Sequence, residues 1–160
     1  MKSLEMVSNS TAQTRNMGMK LGKSAAAGDV ILLMGPLGAG KTCLTQGIAH
    51  GLGIHEYTAS PSFVLVREYQ GKLPLYHIDL YRLDKIEEVT QLGLDDYLYG
   101  NGVCVVEWAD KGLGVLPEEH LLIEMQIVSP LKRRLSFMPR GMRYLETLSK
   151  LKSVLLGAGK

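Results

Sequence analysis

Val30-Ile31-Leu32-Leu33-Met34 runs straight into Gly35-Pro36-Leu37-Gly38-Ala39-Gly40-Lys41-Thr42, and this stretch decides the fold. An unbroken apolar run of this length reads as a strand of a parallel sheet, buried on both faces. Gly-x-x-x-x-Gly-Lys-Thr follows it, the pattern of a phosphate-binding loop, and residues 41–52 read as the helix that such a loop opens. The glycines let the backbone curl so that successive N–H groups face phosphate oxygens. The start of the helix adds the positive end of its dipole. In this chemistry the lysine reaches the β- and γ-phosphates and the threonine hydroxyl ligates magnesium. Gly38, Ala39, Gly40, Lys41, Thr42 and the adjoining Cys43 therefore form the candidate nucleotide-binding segment.

On the N-terminal side, residues 11–27 predict a helix, with Met17, Leu21 and Ala25 four apart and Ser8, Ser10 or Thr11 as cap. Gly28-Asp29 ends it. On the C-terminal side, residues 63–69 and 73–80 are β-type runs separated by Gln70-Gly71-Lys72, the spacing of an antiparallel hairpin. Residues 84–89 and 94–99 predict short helical pieces, and 103–106 a buried strand ending in Glu107. Residues 120–128 and 134–138 predict a second strand pair. A closing helix over 144–156 puts Leu145, Leu148, Leu151 and Leu155 on one side. With no repeat, low-complexity segment or linker, residues 1–160 are expected to form a single domain.

The composition fits that expectation. The chain has 160 residues, 46% of them apolar and 21% charged. A domain of this size buries roughly two-thirds of its unfolded surface and needs no covalent staples. Cys43 and Cys104 are too few for a disulfide framework, and no metal-type Cys/His spacing occurs. Both read as small buried residues. Residues 1–17 contain no apolar signal-peptide core, and the longest apolar run is far too short to cross a bilayer. The expected setting is a reducing cytoplasm without membrane attachment.

The net charge of +2 conceals an asymmetry. From Ser129 onward eight basic residues face one acid, Glu146, while the preceding chain carries ten basic and fifteen acidic residues. The tail is thus +7 and the body −5. A basic end can meet phosphates, RNA or an acidic partner, although a solvated helix face accounts for it more simply.

A phosphate-binding loop hydrolyses nothing without acids, which usually stand at the ends of neighbouring strands. Glu107 follows Val103-Cys104-Val105-Val106, the pattern of a strand delivering a carboxylate to a metal shell. Thr42 and Glu107 are accordingly the candidate magnesium ligands. Asp79 ends the second hairpin strand within His77-Ile78-Asp79-Leu80-Tyr81-Arg82 and joins Lys41 and Glu107 as a candidate catalytic residue. A helix cap or surface ion pair is the plainer role for either acid. Trp108, the only tryptophan, is placed to pack over such a site. His77, in an apolar strand, reads as a hydrogen-bonded core histidine. Arg82 fits a phosphate-directed arginine and a structural ion pair equally well. Ser60-Pro61-Ser62-Phe63 is a polar loop whose hydroxyls would suit a γ-phosphate switch, or an ordinary turn.

These pieces, in this order, resemble the TsaE (YjeE) family, P-loop ATPases of tRNA threonylcarbamoyladenosine formation. The resemblance spans most of the chain. It rests on Leu37-Gly38-Ala39-Gly40-Lys41-Thr42, Ser60-Pro61-Ser62-Phe63, the selective run His77-Ile78-Asp79-Leu80-Tyr81-Arg82-Leu83, Gly93-Leu94-Asp95-Asp96-Tyr97, and Val106-Glu107-Trp108. It implies an α/β, three-layer P-loop NTPase fold, with a mixed central sheet flanked by helices. It also implies weak ATP hydrolysis that becomes useful beside the partners TsaB and TsaD, with ANN-decoding tRNA as an indirect partner. Thr42 and Glu107 would hold magnesium, Asp79 would belong to the switch or catalytic set, and Trp108 would lie near the nucleotide. Ser60–Phe63 resembles the family's switch segment, and Ser10, Thr11 and Arg133 its adenine-side pocket. Pro36 departs from the Asp usual after the first loop glycine, and Ser62 from the usual Thr. Neither departure removes a metal ligand.

Two other classes share the same loop. A small-molecule or nucleoside kinase would ordinarily carry an arginine-rich lid, whereas the basic cluster Lys132-Arg133-Arg134 falls in a predicted strand. A nucleotide-gated binding module would bind without hydrolysing. No Asn-Lys-x-Asp guanine-reading motif is present, which favours ATP.

Overall fold

In the computed structural model, residues 3–56 and 65–154 are described. The expected switch segment at residues 60–63 and Leu155 lie outside them. The described chain runs β1 (Leu4–Ser8), α1 (Thr11–Ser24), β2 (Val30–Met34), α2 (Lys41–Gly51), β3 (Val66–Gln70), β4 (Pro74–Asp79), α3 (Ile86–Gln91), α4 (Asp95–Leu98) and β5 (Val103–Glu107). A single 3-10 turn (Ala109–Lys111), β6 (His120–Ile127), β7 (Arg133–Arg140) and α5 (Met142–Lys152) complete it.

The seven strands form one mixed sheet in the order β1-β7-β6-β2-β5-β4-β3. Its middle is parallel: β2 pairs with both β5 and β6, and β4 pairs with β5. Antiparallel pairs flank this middle, β6–β7 and β1–β7 on one side and β3–β4 on the other. β2 and β5 are apolar on both faces because helices cover both. Ile31, Leu33, Val103 and Val105 pack in one core with α1, α2 and α5, while Val30, Leu32, Cys104 and Val106 pack in a second with α3, α4 and the 3-10 turn. The mixed, helix-flanked sheet expected from the resemblance is what the chain builds.

α1 and α2 cross so closely that glycine is required on both. A Cβ on Gly18 or Gly22 would stand 2.3 or 2.2 Å from the carbonyl oxygens of Leu44 and Ile48. One on Gly47 or Gly51 would stand 2.1 or 2.2 Å from those of Arg15 and Met19. Gly18 and Gly47, well inside their helices, each cost about 1 kcal/mol of helix propensity relative to alanine, so the crossing, not local preference, keeps them there.

Several boundaries differ from the sequence expectation, each for a local reason. α1 ends at Ser24 rather than residue 27, because the Asp29 carboxylate accepts the Ala26 N–H at 2.8 Å and draws that residue into a turn. Arg143 reinforces the end, donating to the Ser24 carbonyl at 3.1 Å and to both Asp29 oxygens at 3.1 and 2.9 Å. α3 starts at Ile86, two residues late, because the Glu88 side chain accepts the N–H groups of Asp84 and Lys85. α5 buries Tyr144, Thr147, Leu148 and Leu151, whereas Leu145 is 37% exposed. Leu145 sits about 100° around the helix from Tyr144, whose hydroxyl accepts the Val30 N–H at 2.9 Å and fixes the buried face. β1 has no counterpart in the sequence reading. It is a five-residue edge strand paired only with β7, too short for its alternation to stand out.

The Asp29–Arg143 pair ties α5 to the start of β2. Asp29→Ala should destabilise the fold by about 2 kcal/mol, less than a fully buried pair because the Arg143 side chain is 33% exposed. Urea unfolding checks this, and an unchanged midpoint would remove the pair from the stability account.

Candidate functional site

The parallel strands β2, β5 and β4 end side by side, with Leu33 opposite Glu107 and Glu107 opposite Asp79. Their C-terminal ends therefore deliver the loop of residues 35–40, a carboxylate and a second carboxylate to one edge, where open α/β sheets bind ligands. Gly35 has φ +147°, and a Cβ there would lie 2.5 Å from the Met125 carbonyl oxygen of β6. Gly40 has φ +103° and turns the chain directly into α2. Only glycine suits either place.

Lys41 and Thr42 open α2 and face the loop. The Lys41 ammonium donates to the carbonyls of Gly35 at 2.6 Å and Pro36 at 2.9 Å and lies 4.0 Å from the centre of the Trp108 ring. Burial lowers its pKa from the usual lysine range, while the charges of Glu107, Asp110 and Asp79 oppose that shift. The Thr42 hydroxyl donates to Glu107, 3.3 and 3.4 Å from its two oxygens. Glu107 is buried. Asp79 is also buried, and its Oδ1 accepts the Tyr81 N–H at 2.9 Å, which turns the chain after β4.

Trp108 adopts the left-handed conformation, φ 58° and ψ 42°. A non-glycine residue held there costs of order 1 kcal/mol and survives only where its surroundings fix it. Tyr81 packs against its ring at 4.9 Å between centres with the planes tilted 47°, and Lys41 covers it. Lys111 holds the other side of this arrangement by donating to the Tyr81 and Leu83 carbonyls at 2.6 and 2.9 Å.

The result is a groove of about 410 Å³ lined by Gly38, Gly40, Lys41, Thr42, Cys43, Asp79, Glu107 and Trp108, together with Leu37 and Tyr81. A smaller hollow of about 80 Å³ adjoins it through Gly38, Gly40 and Cys43. Ser10, Thr11, Ala39 and Arg133 line this hollow, so segments far apart in sequence meet there. The register explains how: Ser8 of β1 pairs with Arg133 of β7, and α1 starts immediately after β1. Ser10 caps α1 by accepting the Gln13 N–H, and Arg133 donates to Gly38 of the loop at 3.2 Å. Ser10, Thr11, Gly38, Ala39, Gly40, Lys41, Thr42, Cys43, Asp79, Glu107, Trp108 and Arg133, all singled out from the sequence, thus line one of two adjoining cavities.

Some expectations change. Cys43 is only half-buried, lines both cavities and donates to the Thr11 carbonyl, whereas Cys104 is fully buried. Arg82 is exposed and does not line the groove. Tyr81 does line it and was not singled out. Its signal was its place two residues after Asp79, where the turn lets a side chain return over the strand ends. A larger hollow, about 780 Å³, lies at the opposite end of the sheet. Its buried carboxylate, Asp29, is already bound to Arg143, so chemistry is better sought at the loop.

The donor set suits magnesium. Thr42 and Glu107 supply hard oxygens that lie within 3.4 Å of each other. An ion held by one or two protein oxygens, with phosphate and water completing its shell, has these needs.

The family described as Threonylcarbamoyl adenosine biosynthesis protein TsaE matches residues 8–135. A tRNA threonylcarbamoyladenosine biosynthesis protein TsaE from Treponema pallidum (strain Nichols) is 39% identical over 133 residues, covering 83% of this chain and 98% of that protein. Its namesake from Bacillus subtilis (strain 168) is 42% identical over 145 residues, 90% of each chain. The crystal structure of Bacillus subtilis YdiB superposes with a TM-score of 0.83 at 38% identity, covering 94% of this chain and 95% of that one.

Proposed function

The chain belongs to the TsaE family, and we propose that it binds ATP with magnesium and hydrolyses it weakly. In this reading it supports threonylcarbamoyladenosine formation on ANN-decoding tRNA beside TsaB and TsaD, without performing the transfer itself. One observation carries the proposal: Lys41, Thr42, Glu107 and Asp79 converge on one groove at the mouth of a glycine-bounded loop.

The triphosphate would lie along the larger groove and the adenine would enter the hollow beside Ser10, Thr11 and Arg133. Lys41 would leave the Gly35 and Pro36 carbonyls and donate to the β- and γ-phosphates. Thr42 and Glu107 would hold magnesium, which when bound neutralises charge on the phosphate oxygens. The N–H groups at the start of α2 would stabilise charge developing on the γ-phosphoryl group. Asp79, at the neighbouring strand end, would orient the attacking water. Trp108 and Tyr81 would shield one side of the groove from solvent.

As the sole tryptophan, Trp108 provides the test. Its emission should change saturably on titration with ATP and magnesium, and ADP should compete. A flat titration, with calorimetry also silent, would end this reading. Phosphate release with and without TsaB and TsaD then measures coupling, while label appearing in an added nucleoside would replace the hydrolase by a kinase. Glu107→Gln keeps the side chain's shape but removes its charge. It should raise the magnesium concentration for half-maximal activity at least about tenfold, the loss of one charged contact. An unaltered magnesium dependence would remove Glu107 from the metal site.

Among the described residues no helix is long and apolar enough to cross a membrane.

A further inference from the structure

We propose that His77 is a positioning residue for Glu107, its imidazole fixing the carboxylate where the Thr42 hydroxyl and a divalent cation can share it. The inference deepens the reading above and rests on Thr42 and Glu107 being the cation's protein ligands.

β4 places Leu75, His77 and Asp79 on one face of the sheet, and β5 places Val103, Val105 and Glu107 on the same face. His77 pairs with Val105 and Asp79 with Glu107, so His77 and Glu107 are diagonal neighbours within reach of long side chains. His77 Nε2 lies 2.5 Å from Glu107 Oε2, and neither side chain is more than 3% exposed. Thr42 approaches the same carboxylate from α2. A carboxylate only accepts, so Nε2 carries the proton and donates. One lone pair of Oε2 is thereby committed, and the rest stay available to Thr42 and the cation. Ligating carboxylates are commonly oriented by such outer hydrogen bonds.

The other ring nitrogen supplies an independent argument. Among the described residues His77 Nδ1 is buried without a hydrogen-bond partner, an arrangement that costs stability. Leucine at this position, beside Leu75 and opposite Val105, would carry no such orphan. Packing alone therefore does not explain a histidine here, whereas orientation of Glu107 does.

The test uses the full chain and three readouts: thermal melting, ADP affinity without metal from Trp108 emission, and Mn²⁺ affinity with ADP from electron paramagnetic resonance. His77→Leu should melt somewhat lower, since buried Glu107 loses its donor, yet stay folded and bind metal-free ADP within about twofold while weakening Mn²⁺ about tenfold. His77→Gln restores a donor at the same number of bonds from Cβ and should recover Mn²⁺ binding to within about threefold of the parent. Should His77→Leu fail to fold, His77→Met, which fills irregular space more adaptably, takes its place with the same expectation. Unchanged Mn²⁺ affinity in the apolar variant, or equal loss in the glutamine variant, would overturn the assignment. A parent that binds ADP but no Mn²⁺ would instead overturn the metal site itself, and this role with it. A parent that binds no nucleotide would refute the functional reading at an earlier step.

Discussion

Lys41→Ala should reduce ATP affinity by about 100-fold or more, from loss of charged hydrogen bonds to two phosphates at roughly 1.5–3 kcal/mol each. The fold should hardly notice. The ammonium now donates to the Gly35 and Pro36 carbonyls, but those bonds are offset by the cost of keeping a cation in a buried place. Melting should move by less than about 4 °C, the equivalent of about 1 kcal/mol in a domain of this size. Lys41→Met retains the aliphatic stem and should lose affinity equally, which separates charge from packing. Calorimetry and Trp108 emission measure both. ATP binding within threefold of the parent in either variant would refute the assignment of this lysine to the phosphates.

The same residue sets a pH dependence. Burial lowers the folded-state pKa of Lys41, so its ammonium is fully present only below that value. ATP affinity should then decline as pH rises through it, beginning below the ordinary lysine range near about 10.4. Stability moves the other way. In that window the unfolded chain binds more protons than the folded one, so rising pH favours the fold slightly. Opposite trends in affinity and melting temperature, both absent in Lys41→Met, would identify the group.

Gly47→Val should strongly destabilise the fold. Even a Cβ at Gly47 would lie 2.1 Å from the Arg15 carbonyl oxygen and 3.0 Å from the Gly18 Cα, both backbone atoms that no rotamer change can clear. α1 and α2 must separate, which strips Met17, Leu21, Leu44 and Ile48 of part of their shared burial. A cost of about 3 kcal/mol is expected, the upper range for overpacking, with melting lowered by about 6–12 °C. Since α2 begins at Lys41, the displacement also moves the loop, and ATP affinity should fall with stability. Lys23→Ala, on the exposed side of α1, is the control and should stay within about 0.5 kcal/mol. Melting of Gly47→Val within 2 °C of the parent would show that the helix crossing can relax at little cost.

The glycines of this crossing mark where a linear reading stops. Gly18 and Gly22 lie four apart, as do Gly47 and Gly51, inside segments that otherwise read as helices. The spacing was visible, but nothing local says that the two pairs face each other across less than a side chain's width. Likewise His77 read as a core histidine, since its strand is apolar and its partner lies 30 residues away. The basic tail gave a charge sum without a destination. Folding spends Arg133 on the loop and turn carbonyls, and Arg143 on Asp29.

The one-dimensional chain determined whatever rests on neighbours in sequence. The apolar run of β2, the glycine–lysine–threonine turn after it and the carboxylates ending β4 and β5 all follow from spacing, because periodicity and turn chemistry act over a few bonds. Tertiary structure alone decided the pairing of β1 with β7 that brings Ser10 to Arg133, the packing of Tyr81 and Lys41 about Trp108, and the contact between His77 and Glu107. Those contacts depend on sheet register and helix crossing. Register and crossing are settled by burial summed over the whole domain, which no short window of sequence contains.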